Sequence, residues 1–176
     1  MFTIKKTLRY FVLFVAMILA IGFVIPERVT MPVVGATAGD WNPQSFWFEP
    51  WGTSGVHKGV DIFAAQGTPV VATVPLLVFF RGEFAKGGKV VIGLGPKWRI
   101  HYFAHLSTIS ESEMWLSAGS FLGRVGDSGN AKGKPPHLHY TIVSLIPLPW
   151  LIDNSSQGIK KAFYLDPIIY LNRSMQ

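Results

Sequence analysis

From Gly59 onward, glycine and proline interrupt the chain every few residues, and the stretches between them are short, β-branched and aromatic. Val60-Asp61-Ile62-Phe63 is a first strand, and Gly67-Thr68-Pro69 turns into a second over residues 70–74. Residues 76–80 form a third. Gly87-Gly88 leads into 89–94, and Gly95-Pro96 into 98–103. Residues 119–126 make another turn-bounded pair, and 139–143 close the series. Such runs between turn residues predict a mainly β, antiparallel, sheet- or sandwich-like domain. Residues 107–117 are read as holding one helical turn. No repeat and no low-complexity tract disturbs this pattern.

The N-terminus departs from it. Lys5, Lys6 and Arg9 precede an apolar run from Tyr10 to Ile25, stopped by Pro26 and Glu27. Residues 1–30 therefore read as an N-terminal transmembrane helix or signal segment. The basic flank puts the N-terminus in the cytoplasm and the rest of the chain outside. Ala36-Thr37-Ala38 resembles a cleavage site but lies well beyond the apolar run, so the segment is read as an uncleaved anchor, with a secreted product as the alternative.

Residues 31–52 are a loop-rich approach crowded with Trp41, Phe46, Trp47, Phe48 and Trp51. These rings are expected to complete the core, with one or two lining a groove as the alternative. Residues 53–176 make up the remaining domain. Near the C-terminus, Asp166-Pro167 suits the start of a short amphipathic helix docking back on the domain. A role for Asp166 behind a metal site is the alternative.

With no cysteine, disulfides and thiolate metal sites are excluded. The formal net charge of +6 favours an anionic partner. Its basic residues are scattered, with no run longer than Lys5-Lys6 and Lys160-Lys161, which argues against nucleic acid.

Four of the five histidines fall in three short pieces. His57 and Asp61 flank Gly59, offering a nitrogen and an oxygen ligand. His137 and His139 are two apart, so on a strand they enter one site together. His105 follows a β-type run. Three N/O ligands with one open position are the make-up of a catalytic zinc centre. His57 and Asp61 supply two ligands, and His137, His139 and His105 compete for the third place.

These pieces carry a resemblance. His57-Lys58-Gly59-Val60-Asp61-Ile62 is similar to the H-x-G-x-D-I motif of the lysostaphin/LytM-type zinc metallopeptidases, which cut peptidoglycan. Tyr102-Phe103-Ala104-His105-Leu106 looks like their Y-x-x-H-L motif. Gly123-Arg124-Val125-Gly126-Asp127-Ser128-Gly129-Asn130, then Gly133 and Pro136-His137-Leu138-His139-Tyr140, resembles their glycine-rich loop and H-L-H strand. Gly67-Thr68-Pro69-Val70 and Asp166-Pro167 match as well. The resemblance implies zinc held by His57, Asp61 and His139. It implies His137 as the general base for the attacking water, and His105 opposite it to orient that water or stabilise an oxyanion. Many relatives carry an acidic residue two positions after the last histidine, where this chain has Thr141. His101 matches no motif. It is in phase with Phe103 and His105, which suits a place facing the groove and equally one on the surface.

Three functions compete. The first is a zinc endopeptidase of the bacterial cell envelope, anchored in the inner membrane and acting on peptidoglycan. The second is a non-catalytic module that activates another wall hydrolase. Such modules usually lack a metal ligand, whereas every ligand position here is filled. The third is a general secreted protease.

Overall fold

A computed structural model describes residues 2–111 and 113–176. It begins with helix α1, Phe2–Val24. Nine strands follow: β1 Val60–Phe63, β2 Pro69–Val71, β3 Leu76–Phe84, β4 Gly88–Gly95, β5 Arg99–Ile109, β6 Trp115–Leu116, β7 Phe121–Val125, β8 His137–Ser144 and β9 Tyr164–Leu165. Helix α2, Pro167–Ser174, ends the chain. Asp166 caps it, its Oδ1 accepting from Ile168 N at 2.9 Å, with Pro167 in the first turn. Ile168, Tyr170 and Leu171 bury its inner face against the domain.

The fold is mainly β and every strand pair is antiparallel. The sheet runs β1-β8-β5-β4-β3-β6 and branches at β5, where β7 pairs with the far end of that strand and with β2. β5 is therefore shared: its first part lies between β4 and β8, and its last part lies beside β7. One core draws on both branches, with Val60, Ile62, Val70, Leu76, Phe103, Leu122, Leu138 and Tyr140 almost wholly buried. Val33 and Trp41 join this core and Trp47 is also buried, so the aromatic approach completes the interior.

The described residues of 107–117 contain no helical turn. β5 continues through Ile109, where Thr108 faces Arg124 and Ile109 faces Gly123, and Trp115 then pairs with Leu77. Edge pairing to β7 and β3 satisfies the backbone of a stretch too polar to read as strand.

α1 holds the stretch Lys6–Val24, long and apolar enough to cross a membrane, and only 6% of that window is buried. Just beyond it, Glu27 ties the connection to the domain. Its carboxylate accepts from Tyr170 Oη at 2.6 Å, Arg99 Nη1 at 2.8 Å, Lys97 Nζ at 3.0 Å and Arg173 Nη1 at 3.2 Å. Burial opposes this charge, but the hydrogen bonds from Tyr170 and Lys97 and the charges of Arg99 and Lys97 outweigh it and hold the carboxyl at about 2, against 4.5 for a free side chain. A depressed folded-state pKa adds stability that is complete above about pH 4.5 and lost as the pH falls toward 2. Glu27→Gln is expected to cost about 2 kcal/mol at neutral pH, discounted because Lys97 and Arg173 are partly open to solvent. It should also flatten this acid dependence. Thermal unfolding of the full chain in detergent, from pH 7 down to 3, checks both; an unchanged acid limb would refute the assignment.

Candidate metal centre

β1 and β8 bring the ligand candidates together by pairing. Asp61 lies opposite His139 in this register, and Phe63 opposite His137. His57 enters from the loop before β1, with its backbone held by Trp47 and Phe48. Asp61 Oδ1 is 2.7 Å from His139 Nδ1 and 3.2 Å from His57 Nε2, and the two nitrogens are 3.2 Å apart. One ligand atom from each residue lies within 4.8 Å of the others. Donors about 2.0–2.1 Å from a tetrahedral metal are separated by roughly 3.3 Å, so this cluster has the spacing a zinc-sized cation takes. Burial opposes ionisation of Asp61, yet its hydrogen bond with His139 and its close approach to the His57 ring hold the carboxyl far below the ordinary range.

The other nitrogen of each imidazole has a partner. His57 Nδ1–H donates to Ser45 O at 2.9 Å, which leaves Nε2 as the lone-pair atom facing the cluster. His139 meets the cluster through Nδ1, while its Nε2 is 3.0 Å from Thr141 Oγ1. Thr141 thus fixes the ring of a ligand candidate. The sequence marks Thr141 only as a departure from the family pattern and carries no sign of this contact.

Two more imidazoles face the same space. His137 Nδ1–H donates to Pro135 O at 2.8 Å, and Nε2 lies 4.0 Å from Asp61 Oδ2. His105 Nδ1–H donates to Ser128 O at 2.9 Å. The Ser128 hydroxyl accepts from Lys89 N and donates to Leu106 O, so the glycine-rich loop is bolted to β4 and β5. Gly88 and Gly129 permit that contact, since a Cβ on either would run into the other's backbone. Burial pushes His105 down to about 4, against the hydrogen bond to Ser128. Its ring is accordingly neutral at physiological pH and presents a lone pair.

His101 is not in the groove, nor on the surface. It is fully buried, with Nδ1 2.6 Å from Tyr140 Oη, and burial holds it down at about 3. The reason is a bulge in β5. Lys89 faces Leu106 but Val91 faces Phe103, so β5 carries an extra residue there. His105 adopts a left-handed backbone with φ 63°. Before the bulge, His101 and Phe103 point into the core while Tyr102 and Ala104 line the groove; at the bulge His105 turns to the groove as well.

These side chains floor an open groove of about 630 Å³. Its lips include Trp51, Phe63 and Tyr102, with Lys58, Lys86 and Lys134 against one carboxylate, Asp61. Trp51 stacks on His57 at 4.1 Å and 24°. The approach segment therefore supplies one groove ring in addition to its core rings.

Comparison with known proteins gives this arrangement a family. Residues 55–146, more than half of the chain, match the profile of peptidase family M23. The chain belongs to peptidase family M23. Among M23-like relatives, a DD-carboxypeptidase/endopeptidase of Neisseria meningitidis is 36% identical over 85 residues, covering 48% of this chain and 19% of the relative. An L-Ala–D-Glu endopeptidase of Bacillus subtilis is 35% identical over 120 residues, covering 57% of this chain and 34% of the relative. The chain thus spans a fifth to a third of the length of these proteins. Lysostaphin from Staphylococcus simulans shares the M23 fold, with TM-score 0.62 at 22% identity, covering 84% of this chain and 55% of lysostaphin. The isolated lysostaphin catalytic domain gives a TM-score of 0.57 at 23% identity, covering 78% of this chain and 98% of that domain.

Proposed function

We propose that this M23 protein is a zinc metalloendopeptidase of the bacterial envelope, hydrolysing peptide bonds in peptidoglycan. In this reading residues 1–30 anchor it in the inner membrane, residues 31–52 form the approach, and residues 53–176 are the catalytic domain outside the cytoplasm. One observation carries the chemistry: a compact His57–Asp61–His139 donor set shares the floor of an open groove with two further imidazoles, His137 and His105.

His57 Nε2, Asp61 Oδ1 and His139 Nδ1 are the atoms that would hold zinc. Bound there, zinc would polarise the scissile carbonyl and bring the pKa of a water toward about 7. The protein contributes the proton acceptor. His137 presents Nε2 because Nδ1–H is committed to Pro135 O, and among the described residues no glutamate lines the groove to compete for the role. Burial holds His105 down at about 4, so it resists taking up a proton. With its lone pair outward it orients the water through an accepted hydrogen bond. Stabilising an oxyanion would require it to be protonated first.

The substrate reading rests on the named activities of the Neisseria and Bacillus relatives and on the groove itself. Three lysines against one carboxylate suit a peptide bearing free carboxylates, and the net charge of +6 suits an anionic wall polymer. The test is incubation of the detergent-solubilised chain with purified peptidoglycan, with and without a zinc chelator, reading products by mass spectrometry. Chelator-sensitive release of cut peptides is expected. A protein that neither binds zinc nor cuts would be a regulatory module instead.

A further inference from the structure

A second cavity, of about 250 Å³, lies away from the metal centre where α1 meets the domain. On the helix side it is lined by Ile18, Ile21 and Ile25, and on the domain side by Leu77, Trp98 and Trp115. Trp98 Nε1–H donates to the carbonyl of Leu19 at 2.9 Å. Gly22 makes that approach feasible, since a side chain there would collide with the indole.

The depth of this contact matters. The candidate span of α1 is Lys6–Val24, nineteen residues, of which the uncharged run begins at Tyr10. At 1.5 Å per residue that is about 28 Å, just the thickness of a bilayer's hydrocarbon core. This span therefore has no spare apolar turn to lift clear of the membrane. Leu19 lies five residues before Val24, or about 7 Å inside the span. Side chains packed on Ile18, Leu19 and Gly22 must share that depth, which is where interfacial tryptophans settle.

The surface around the contact is apolar and uncovered. Met114 is 61% exposed and Trp115 60%. Leu145 N donates to Trp98 O at 2.9 Å, so the run that follows β8 leaves the sheet beside Trp98. That run is Leu145-Ile146-Pro147-Leu148-Pro149-Trp150-Leu151-Ile152, with Trp150 76% exposed. Just past the helix, the four-partner grip on Glu27 holds the connection against β5 and α2.

We propose that this end of the sheet is seated in the outer leaflet of the bilayer that α1 crosses, with Trp98, Met114, Trp115 and the 145–152 loop in contact with phospholipid. The proposal rests on the anchor reading of α1. The domain is then held in one orientation on the membrane and does not swing on a tether. Ser144 pairs with Arg99 at the seated end, and His139 is five residues back along β8. At about 3.3 Å per residue the metal centre lies roughly 17 Å along β8 from that end, so the seat would hold the groove no farther than about that distance from the membrane.

Because the chain has no cysteine, single reporters are simple to install. Leu13→Cys, Met114→Cys, Trp150→Cys and Lys132→Cys would each carry a nitroxide in the full chain, reconstituted in phosphatidylethanolamine/phosphatidylglycerol nanodiscs. Metal binding serves as the folding check, and Ile152→Cys replaces Trp150→Cys should that variant fail it. Collision with oxygen is expected to exceed collision with a nickel chelate several-fold more at positions 114 and 150 than at 132, approaching the value at 13. If 114 and 150 behave like 132 while 13 reports lipid, the seat is refuted and the anchor stands. If position 13 is also in water, the anchor reading falls and takes this proposal with it.

Discussion

Replacing His139 and His137 one at a time is expected to separate metal binding from turnover. His139→Ala removes one of three donors whose ligand atoms lie within 4.8 Å of one another. Two remaining ligands hold zinc poorly, so the dialysed protein should contain little metal and cut nothing. His137→Ala leaves His57, Asp61 and His139 in place, along with the Ser45 and Thr141 contacts that orient the two ligand imidazoles. Its zinc content should match the unsubstituted protein, while peptidoglycan cleavage falls about 10²–10⁴-fold, the usual worth of a positioned base. His105→Ala should cost less, because a ring held down at about 4 accepts a proton reluctantly. Metal analysis after dialysis, paired with turnover on purified peptidoglycan, reads all three. Full activity in metal-loaded His137→Ala would move the base elsewhere in the groove, with His105 the remaining imidazole there.

The fold class was legible because Gly/Pro turns separate runs of one chemical character, and antiparallel pairing of consecutive runs is then the short-range solution. The convergence of His57, Asp61, His137 and His139 was legible for a related reason. Positions two apart on a strand share a face, and β8 runs straight through its histidines. The same reasoning failed on β5. It carried His101 and His105 to one face, but an extra residue and a left-handed backbone at His105 break the alternation between them. Nothing in the residue types marks a bulge at that place. The role of Thr141 was not legible because a hydroxyl has no spacing signature; its contact with His139 exists only once β8 is built. The grip on Glu27 was invisible in another way, since its partners Lys97, Arg99, Tyr170 and Arg173 lie 70 to 146 residues away.

Gly59 tests whether the pairing of β1 with β8 sets the metal geometry. It stands between two ligand candidates, and a Cβ there would lie 2.5 Å from Tyr140 O, 2.6 Å from Thr141 Oγ1 and 2.9 Å from His139 Cε1. The first of these atoms is backbone and cannot swing aside, so Gly59→Ala must push β1 away from β8. That shift moves Asp61 from His139, now 2.7 Å apart, and strips His139 Nε2 of its Thr141 partner. The expected result is at least a tenfold loss of zinc affinity, on the order of what losing such a partner costs. Overpacking should add about 1–3 kcal/mol of destabilisation. Thr141→Val is the control that separates these effects. It removes the hydroxyl without crowding the strands, so zinc affinity should fall about 10–100-fold with little change in the melting of the metal-free protein. Competition against a chromophoric chelator and thermal unfolding without metal distinguish the two variants. If Gly59→Ala bound zinc as tightly as the unsubstituted protein, β1 and β8 could part without disturbing the ligands. The donor set would then be held by the loop before β1 and not by the strand pair.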